Sequence, residues 1–493
     1  MTLPRWITPG ALAFLAIWLV LMAGGSAGML RDPGTFWHTM TGEAILERGE
    51  VIDTDPFSFT YGGTHWIPYQ WLGEVWMALL NRLGGLDAEL VFTTAVLAAV
   101  FAWLGSRFLN SGWHWLPCAL VVCFGMAAAA THFHVRPHVA TIAFMAVFAA
   151  LLTDFEAGKV GVARLLWLVP VTVVWSNIHG GVLGGIATCV IALMGWSAWR
   201  LIGWPSPVAS WATFGRIVGV GLLLGLATLV NPFGWGMVSV WLDIMGSSTL
   251  PKIIVEHAPI AVGDPASWAY LAFGAFYVVM LLGVRERPRV MWLVPLAWLA
   301  LGCERVRHMP LFSVTALVAL ADFFPRTVYA RKMRESGSDL FVASTQSKPW
   351  TFSVLVVPSI AVLIALFTVR GWARLDPKYW PTRMGEELAA HSRDGAKIFN
   401  EVRYGGYLIY HHPAYRVFVD DRCELYRYDW LADVVRASQT GTAEAVAAWQ
   451  AKYGAFDFAL IETGGQFDQY FAAAPGWKLI RKTPTATFYE RGE

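Results

Sequence analysis

An α-helical polytopic membrane protein with an extracytoplasmic, soluble α/β domain at its C-terminal end is the fold this sequence predicts, and three observations predict it. Hydrophobic residues fill 56% of the 493 positions and charged residues only 15%, a balance foreign to ordinary soluble domains. Apolar runs recur at roughly 10–30, 88–106, 113–131, 138–153, 163–176, 180–199, 216–230, 267–284, 289–302, 309–325 and 351–370. That makes about 11 transmembrane helices, judged by the length a bilayer demands. The connections between them alternate in character. One set carries Arg5, Arg107, Lys159 with Arg164, Arg200 with Arg216, Arg285 to Arg289, and Arg326 to Lys348. The other carries Asp32 to Glu74, His132 to His138, Asn177 to His179, Asn231 to Asp264, Glu304 to His308, and everything after Arg370. Lys and Arg collect on the cytoplasmic side of a bacterial inner membrane, so the first set and the N-terminus are expected there. The second set is expected to face the periplasm or exterior.

The first run spans Gly10 to Leu30 without a charge. Arg5 before it and Gly25-Ser26-Ala27 within it imitate a signal peptide, but its length suits a retained helix. Residues 31–86 read as a long first outer loop. Asp32-Pro33 predicts a helix start and Gly49 its stop, with Phe36, Met40 and Ala44 on one face. A second helix is expected from Tyr69 to Leu83, ended by Gly84-Gly85. Trp66, Trp71 and Trp76 give this loop the character of amphipathic helices lying on the outer leaflet. Several later runs are short, which implies tilted, broken or protein-buried helices. Gly180 to Gly185, and Gly221 with Gly225, provide small-residue faces for close helix packing. Residues 1–370 therefore read as the transmembrane domain and 371–493 as the soluble domain. In the latter, strands are expected at 397–400, 416–420 and 456–461, with a helix between the first two opened by Gly405-Gly406. A hairpin follows around Lys482-Thr483-Pro484.

Almost every residue able to do chemistry belongs to the outward set. Asp32, followed by Trp37-His38, could act as a general base, or simply cap its helix for about 1 kcal/mol. Asp53, Asp55, His65 and Glu74 share its loop. His132, His134, Arg136 and His138 form a cluster that is costly beside hydrocarbon. Arg136 suits bidentate phosphate contact and His138 could add a donor; snorkelling and capping are the plain alternative. Alternating histidines could also hold zinc, although their spacing is a weak ligand pattern. Asn177 and His179 begin a glycine-packed helix, where an anion or an ordinary cap would fit. Glu256-His257 could pair a carboxylate with an imidazole for proton transfer. Glu304-Arg305-Val306-Arg307-His308 sets cations against the positive-inside trend, as a leaving phosphate would require; an ion pair with Glu304 or Asp264 is the other reading. Asp420-Asp421-Arg422 reads as a turn, with a loop site as the alternative. The five cysteines show no metal spacing, although Cys303 and Cys423 would both face outward and could pair. A net charge of +2 with no basic tract predicts no nucleic-acid partner.

A resemblance rests on these residues. Arg31-Asp32-Pro33, Phe36-Trp37-His38, Gly42, Ile45, Gly49, Asp55-Pro56-Phe57-Ser58-Phe59-Thr60, Gly63, Trp66 and Gln70-Trp71-Leu72-Gly73-Glu74 resemble the first outer loop of a subgroup of bacterial polytopic membrane proteins. Those proteins are themselves similar to the GT-C glycosyltransferases. The likeness continues through Trp175 to Gly181, Glu256-His257, Arg307 to Phe312, Gly405 to Leu408 and Asp420-Asp421-Arg422. It implies a GT-C-like core and transfer of a sugar from a polyprenyl-phosphate-linked donor to an acceptor on the extracytoplasmic face. It also implies an acid of the first outer loop as catalytic base or metal ligand, and Asp32 stands at the matching position. The chain departs from better-known members: no second acid adjoins Asp32, and no W-W-D-Y-G signature is present.

Asp32, Asp55 and Asp53 are thus the catalytic candidates. His38, Glu74, His134, Arg136, His138, Asn177, His179, Glu256, His257, Arg305, Arg307 and His308 are the substrate-binding ones. No metal ligand is assigned, with a divalent metal left open as cofactor. The expected partners are the lipid-linked donor, membrane lipids and proteins docking on 371–493. Two rivals stand beside this reading: a non-catalytic GT-C-like scaffold or assembly subunit, and an O-antigen ligase- or polymerase-like transferase working through the outer Arg and His residues. A transporter fits less well, because the ionisable residues gather at the boundary and not at mid-membrane.

Overall fold

The computed structural model describes residues 8–336 and 352–492. Arg5 and positions 337–348 of the cytoplasmic set lie outside the described residues. Helix α1 (Pro9–Met29) opens on Pro9, with Thr8 Oγ1 accepting from the Ala11 amide at 3.2 Å. Helix α2 (Gly34–Arg48) stops at Gly49, whose φ of 71° favours glycine. Helix α3 (Trp71–Asn110) is 40 residues long and kinked at Gly84-Gly85, where Gly85 has φ 63°. The non-helical backbone at Gly84 and Gly85 divides the expected loop helix from the second span, where the glycine pair predicts the break.

The helical body continues with α4 (Trp115–Ala129), α5 (Val139–Glu156), α6 (Leu168–Ile178), α7 (Val182–Leu201), α8 (Trp211–Ala227), α9 (Trp235–Gly246), α10 (Pro265–Leu282), α11 (Val290–Glu304), α12 (Met309–Phe323) and α13 (Phe352–Thr368). Among the described residues seven helices are long and apolar enough to cross a membrane. Shorter apolar helices at Val162–Ile178, Trp211–Ala227, Val290–Glu304 and Val356–Thr368 occupy the remaining expected runs. The protein is a multi-pass membrane protein. Helix α12 is its central post, with Phe312, Val314, Leu317 and Leu320 fully buried. Gly125 on α4 lets Leu317 approach to within 2.7 Å of where a Cβ would stand. Gly184 and Gly185 admit Trp298 and Trp175 in the same way. Gly221 and Gly225 differ from expectation: a Cβ there would meet nothing within 4 Å, so that pair packs against no helix among the described residues. Near the C-terminal ends of α3 and α5, Arg107 pairs with Asp154 at 2.8 Å.

Beyond α13 the chain builds a five-stranded sheet: β1 (Ala396–Asn400), β2 (Tyr415–Val417), β3 (Phe458–Glu462), β4 (Trp477–Lys482) and β5 (Ala486–Arg491), in the order β2-β1-β3-β5-β4. β1 runs parallel to β2 and β3, with Ile398 opposite both Val417 and Phe458; β5 is antiparallel to β3 and β4. Helices α14 (Val402–His411), α15 (Tyr428–Ala437), α16 (Thr442–Tyr453) and α17 (Gln466–Ala473) cover it. The second strand ends at Val417, earlier than expected, which frees residues 418–421 to turn toward the helical body. Gly405 and Gly406 lie inside α14 and do not open it. A Cβ at Gly406 would strike the Pro33 carbonyl, and one at Gly405 the Val419 carbonyl.

The first outer loop differs most from expectation. The apolar face of α2 packs on protein: Phe36 sits edge-on to Trp380 at 5.0 Å and to Tyr407 at 6.0 Å. Phe36, Trp37, Ile45, Ile52 and Trp66 share one core with the sheet. Phe59 N–H donates to Val417 at 3.0 Å, and Val417 N–H donates to Phe57 at 3.2 Å, so residues 57–59 extend the β2 edge. All five cysteines are free thiols, Cys303 and Cys423 included.

Candidate active site

The loop joining α1 to α2 presents Asp32, and the Gly34 amide fixes it by donating to Oδ1 at 2.7 Å. Between α4 and α5 the chain is irregular, and Val135 N–H is tied to the Met29 carbonyl at 3.0 Å. That tie brings Arg136 to the end of α1, where its Nη1 donates to Asp32 Oδ1 at 3.0 Å and Oδ2 at 2.9 Å. Glu256, from the segment after α9, lies 3.5 Å from the same nitrogen. Behind the guanidinium stands fully buried His38, with Nε2 3.5 Å from Arg136 Nη2. Arginine can only donate, so Nε2 accepts and the Nδ1–H of His38 donates to Glu74 at 2.8 Å. Burial, then the Arg136 charge, holds the His38 pKa well below its ordinary value.

His138, His179 and His257 are held neutral for similar reasons. His138 donates from Nε2 to the His132 carbonyl at 2.6 Å, and burial followed by Arg136 brings its pKa down to about 4. His179 Nδ1 accepts from the Gly181 amide and Thr141 Oγ1, both at 2.9 Å; burial and then His138 lower its pKa. His257 Nε2 accepts from Arg307 Nη1 at 2.7 Å, and burial together with Arg307 takes it to about 3. Glu256 is the reverse case. Burial opposes its ionisation, but the Arg136 charge and the surrounding His and Arg residues outweigh burial and hold its pKa low.

The C-terminal domain closes the site. Trp37 Nε1–H donates to Asp421 Oδ1 at 2.7 Å. Burial, and next the charge of Asp32, pushes the Asp421 carboxyl up to about 8. Arg422 beside it is fully buried and binds Asp420 through Nε and Nη2 at 2.8 and 2.6 Å, and Asp55 through Nη1 at 2.8 Å. Its guanidinium lies 4.7 Å from the Trp66 ring centre. Asp55 also accepts from the Ser58 amide and hydroxyl. Asp55 is thus a clamp between loop and sheet domain, because its oxygens are spent on Arg422 and Ser58.

A cavity of about 390 Å³ lies where helical body, loop and sheet domain meet. Among the expected residues Asp32, Arg136, His138, His179, Glu256, His257 and Arg307 line it. His38 and Glu74 stand behind it. Asp53 is exposed and offers its carbonyl to the Trp66 amide. Asn177 accepts from Trp71 Nε1 at 2.7 Å and donates to the Val173 and Val230 carbonyls, holding three segments together. His134, Arg305 and His308 bind the carbonyls of Thr131, Met245 and Leu301. Asp421, read from the sequence as a turn residue with a loop site as the alternative, also lines the cavity, as do Glu424, Tyr69 and Gln70, which are not among the expected site residues. The acid pair before a buried arginine was the signal available for the first.

A divalent metal does not fit at Asp32. Arg136 already stands against both of its oxygens, and among the described residues no three His, Cys, Asp or Glu side chains gather as ligands.

Helical body, buried outer loop and C-terminal sheet domain together define a membrane protein of GT-C-like fold. Solved structures that share it include ArnT and AglB. ArnT from Cupriavidus metallidurans, in the apo state, matches with a TM-score of 0.54 at 14% identity over 97% of each chain. The archaeal oligosaccharyltransferase AglB from Archaeoglobus fulgidus, in complex with an inhibitory peptide and a dolichol-phosphate, matches with a TM-score of 0.53 at 10% identity, over 92% of this chain and 69% of that one. No family model matches the chain, and no curated protein matches it in sequence.

Proposed function

We propose that this protein is a glycosyltransferase that moves a sugar from a polyprenyl-phosphate carrier to an acceptor hydroxyl in the cavity under the sheet domain. The observation that carries the reading is the convergence of Arg136 and Arg307 with Asp32, Glu256 and Asp421 in one cavity beside the ends of α1, α5 and α12. In direct displacement the acceptor oxygen bonds to the anomeric carbon while the bond to the phosphate oxygen breaks. Arg136 and Arg307 stabilise the charge left on the phosphate, and a carboxylate takes the acceptor proton. Neutral His138 and His179 orient the donor without adding charge. The fold shared with AglB, solved with a dolichol-phosphate, supports a lipid phosphate as carrier. The Lys and Arg distribution supports a cavity on the extracytoplasmic side of the bacterial inner membrane, with residues 371–493 as a roof open to protein partners.

The test is turnover of a synthetic panel of polyprenyl-phosphate sugars by the purified full chain. Transfer or donor hydrolysis that disappears in Arg307→Gln is expected. A panel that yields no turnover with any donor would sink the reading. One observation favours the non-catalytic scaffold: both Asp32 oxygens are engaged by Arg136, so the loop acid is not free to accept a proton.

A further inference from the structure

Resting on the transferase reading, we infer that Asp421, supplied by the C-terminal domain, is the proton acceptor for the incoming hydroxyl, and that Asp32 positions Arg136. The two carboxylates differ in what is left free. Asp32 accepts from the Gly34 amide at Oδ1, and both its oxygens accept from Arg136 Nη1. Taking a proton there would break the ion pair that holds the phosphate-binding guanidinium. Asp421 uses Oδ1 to accept from Trp37 Nε1 at 2.7 Å, and its Oδ2 has no hydrogen-bond partner among the described residues. Asp421 lines the same cavity as Asp32 and Arg136, so this oxygen is the unengaged base beside the phosphate site.

The rest of the Asp421 surroundings fits a base. Asp32, Arg136 and Asp420 act on it directly, and Tyr379 and Cys423 feel its charge. Its neighbour Asp420 is spent on Arg422 and Tyr426 Oη, at 2.6 and 3.0 Å from Oδ2. Arg422 therefore neutralises Asp420 and leaves Asp421 facing the cavity. Burial and the charge of Asp32 raise the Asp421 pKa to about 8, within reach of a proton from an acceptor hydroxyl. The step balances. The acceptor O–H proton goes to Oδ2, the oxygen forms the new bond to the anomeric carbon, and the electron pair of the broken C–O bond leaves on the lipid phosphate held by Arg136. The proton returns to solvent on product release.

The experiment compares pH profiles of kcat/KM for the purified full chain against the donor panel, in wild type, Asp421→Asn, Asp421→Glu and Trp37→Phe. The wild type is expected to show a rising limb near pH 8. Asp421→Asn is expected to lose about 100-fold in rate together with that limb, and Asp421→Glu to restore part of both. Trp37→Phe, which removes the bond favouring the charged form, is expected to move the limb upward. A limb unchanged in Asp421→Asn or in Trp37→Phe overturns the assignment. So does a rate loss that Asp421→Glu fails to relieve. Absence of turnover by the wild type with every donor overturns the transferase reading and this assignment with it.

Discussion

Arg136 and Asp32 form a two-oxygen contact at 3.0 and 2.9 Å between segments 104 positions apart, and this pair sets the charge arrangement of the cavity. The guanidinium stands among three carboxylates: Asp32 and Glu256 at contact distance, and Asp421 near enough to feel its charge. Replacing it with Gln leaves those acids facing one another in a buried site. Arg136→Gln is expected to cost about 3 kcal/mol of stability, read as a lowered unfolding midpoint in detergent. Restoring the midpoint with a second change, Asp32→Asn, checks that the pair is the cause.

Gly34 gives the Arg136–Asp32 pair its room. A Cβ there would stand 2.7 Å from Arg136 Nε and 2.8 Å from Asp32 Oδ1. Gly34→Ala is therefore expected to push the guanidinium off Asp32 and reduce donor turnover by at least about tenfold, roughly the 1.4 kcal/mol of a displaced contact. The thermal midpoint should also fall, by less than in Arg136→Gln, because alanine favours the helix that begins here and the guanidinium keeps Glu256 beside it.

Asp55 and Arg422 should behave as fold residues. Each is fully buried and each loses its partner if the other is changed. Arg422→Met is expected to cost about 3–5 kcal/mol and to make the sheet domain sensitive to limited proteolysis. Asp55 adds an acid limb. Burial would raise its pKa, but the Arg422 charge and the bonds from Ser58 and the Phe57 amide outweigh burial and lower it. A carboxyl depressed in the folded state stabilises above its unfolded value of about 4. That contribution is lost as pH falls through the folded value. Acid release of the loop should therefore start below about pH 4 in wild type and be blunted in Asp55→Asn, as tryptophan fluorescence of Trp66 would report.

Asp421 predicts the opposite slope. Its folded pKa of about 8 lies above the unfolded value, so the native state holds a proton that the unfolded chain has lost. Stability should fall as pH rises from about 4 to about 8. Asp421→Asn should then raise the unfolding midpoint at pH 9 relative to wild type while lowering turnover about 100-fold. An unchanged midpoint at pH 9 would count against a raised Asp421 pKa.

Much of the site is legible in the sequence. Asp32, Arg136, Glu256, His257 and Arg307 stood out because charge beside apolar runs is expensive and rarely accidental. What misled was locality. Asp53 and Asp55 shared a loop with Asp32, yet the chain turns so that Asp55 points to Arg422, 367 positions away, and Asp53 to solvent. The face of α2 with Phe36, Met40 and Ala44 reads as a membrane surface because sequence shows amphipathicity without naming what covers it. Gly405 and Gly406 read as a helix start, although their use is contact with Pro33 and Val419.

By itself the sequence determined the membrane body and its sidedness as an expectation, because hydrocarbon imposes length and polarity on each segment separately and a local reading captures that. The tertiary structure alone decided which acids meet which cations. Trp37 and Asp421 are 384 positions apart, and nothing in either neighbourhood specifies the other. Their meeting depends on the sheet domain settling over the outer loop through a shared apolar core, a cooperative packing result that no local pattern encodes.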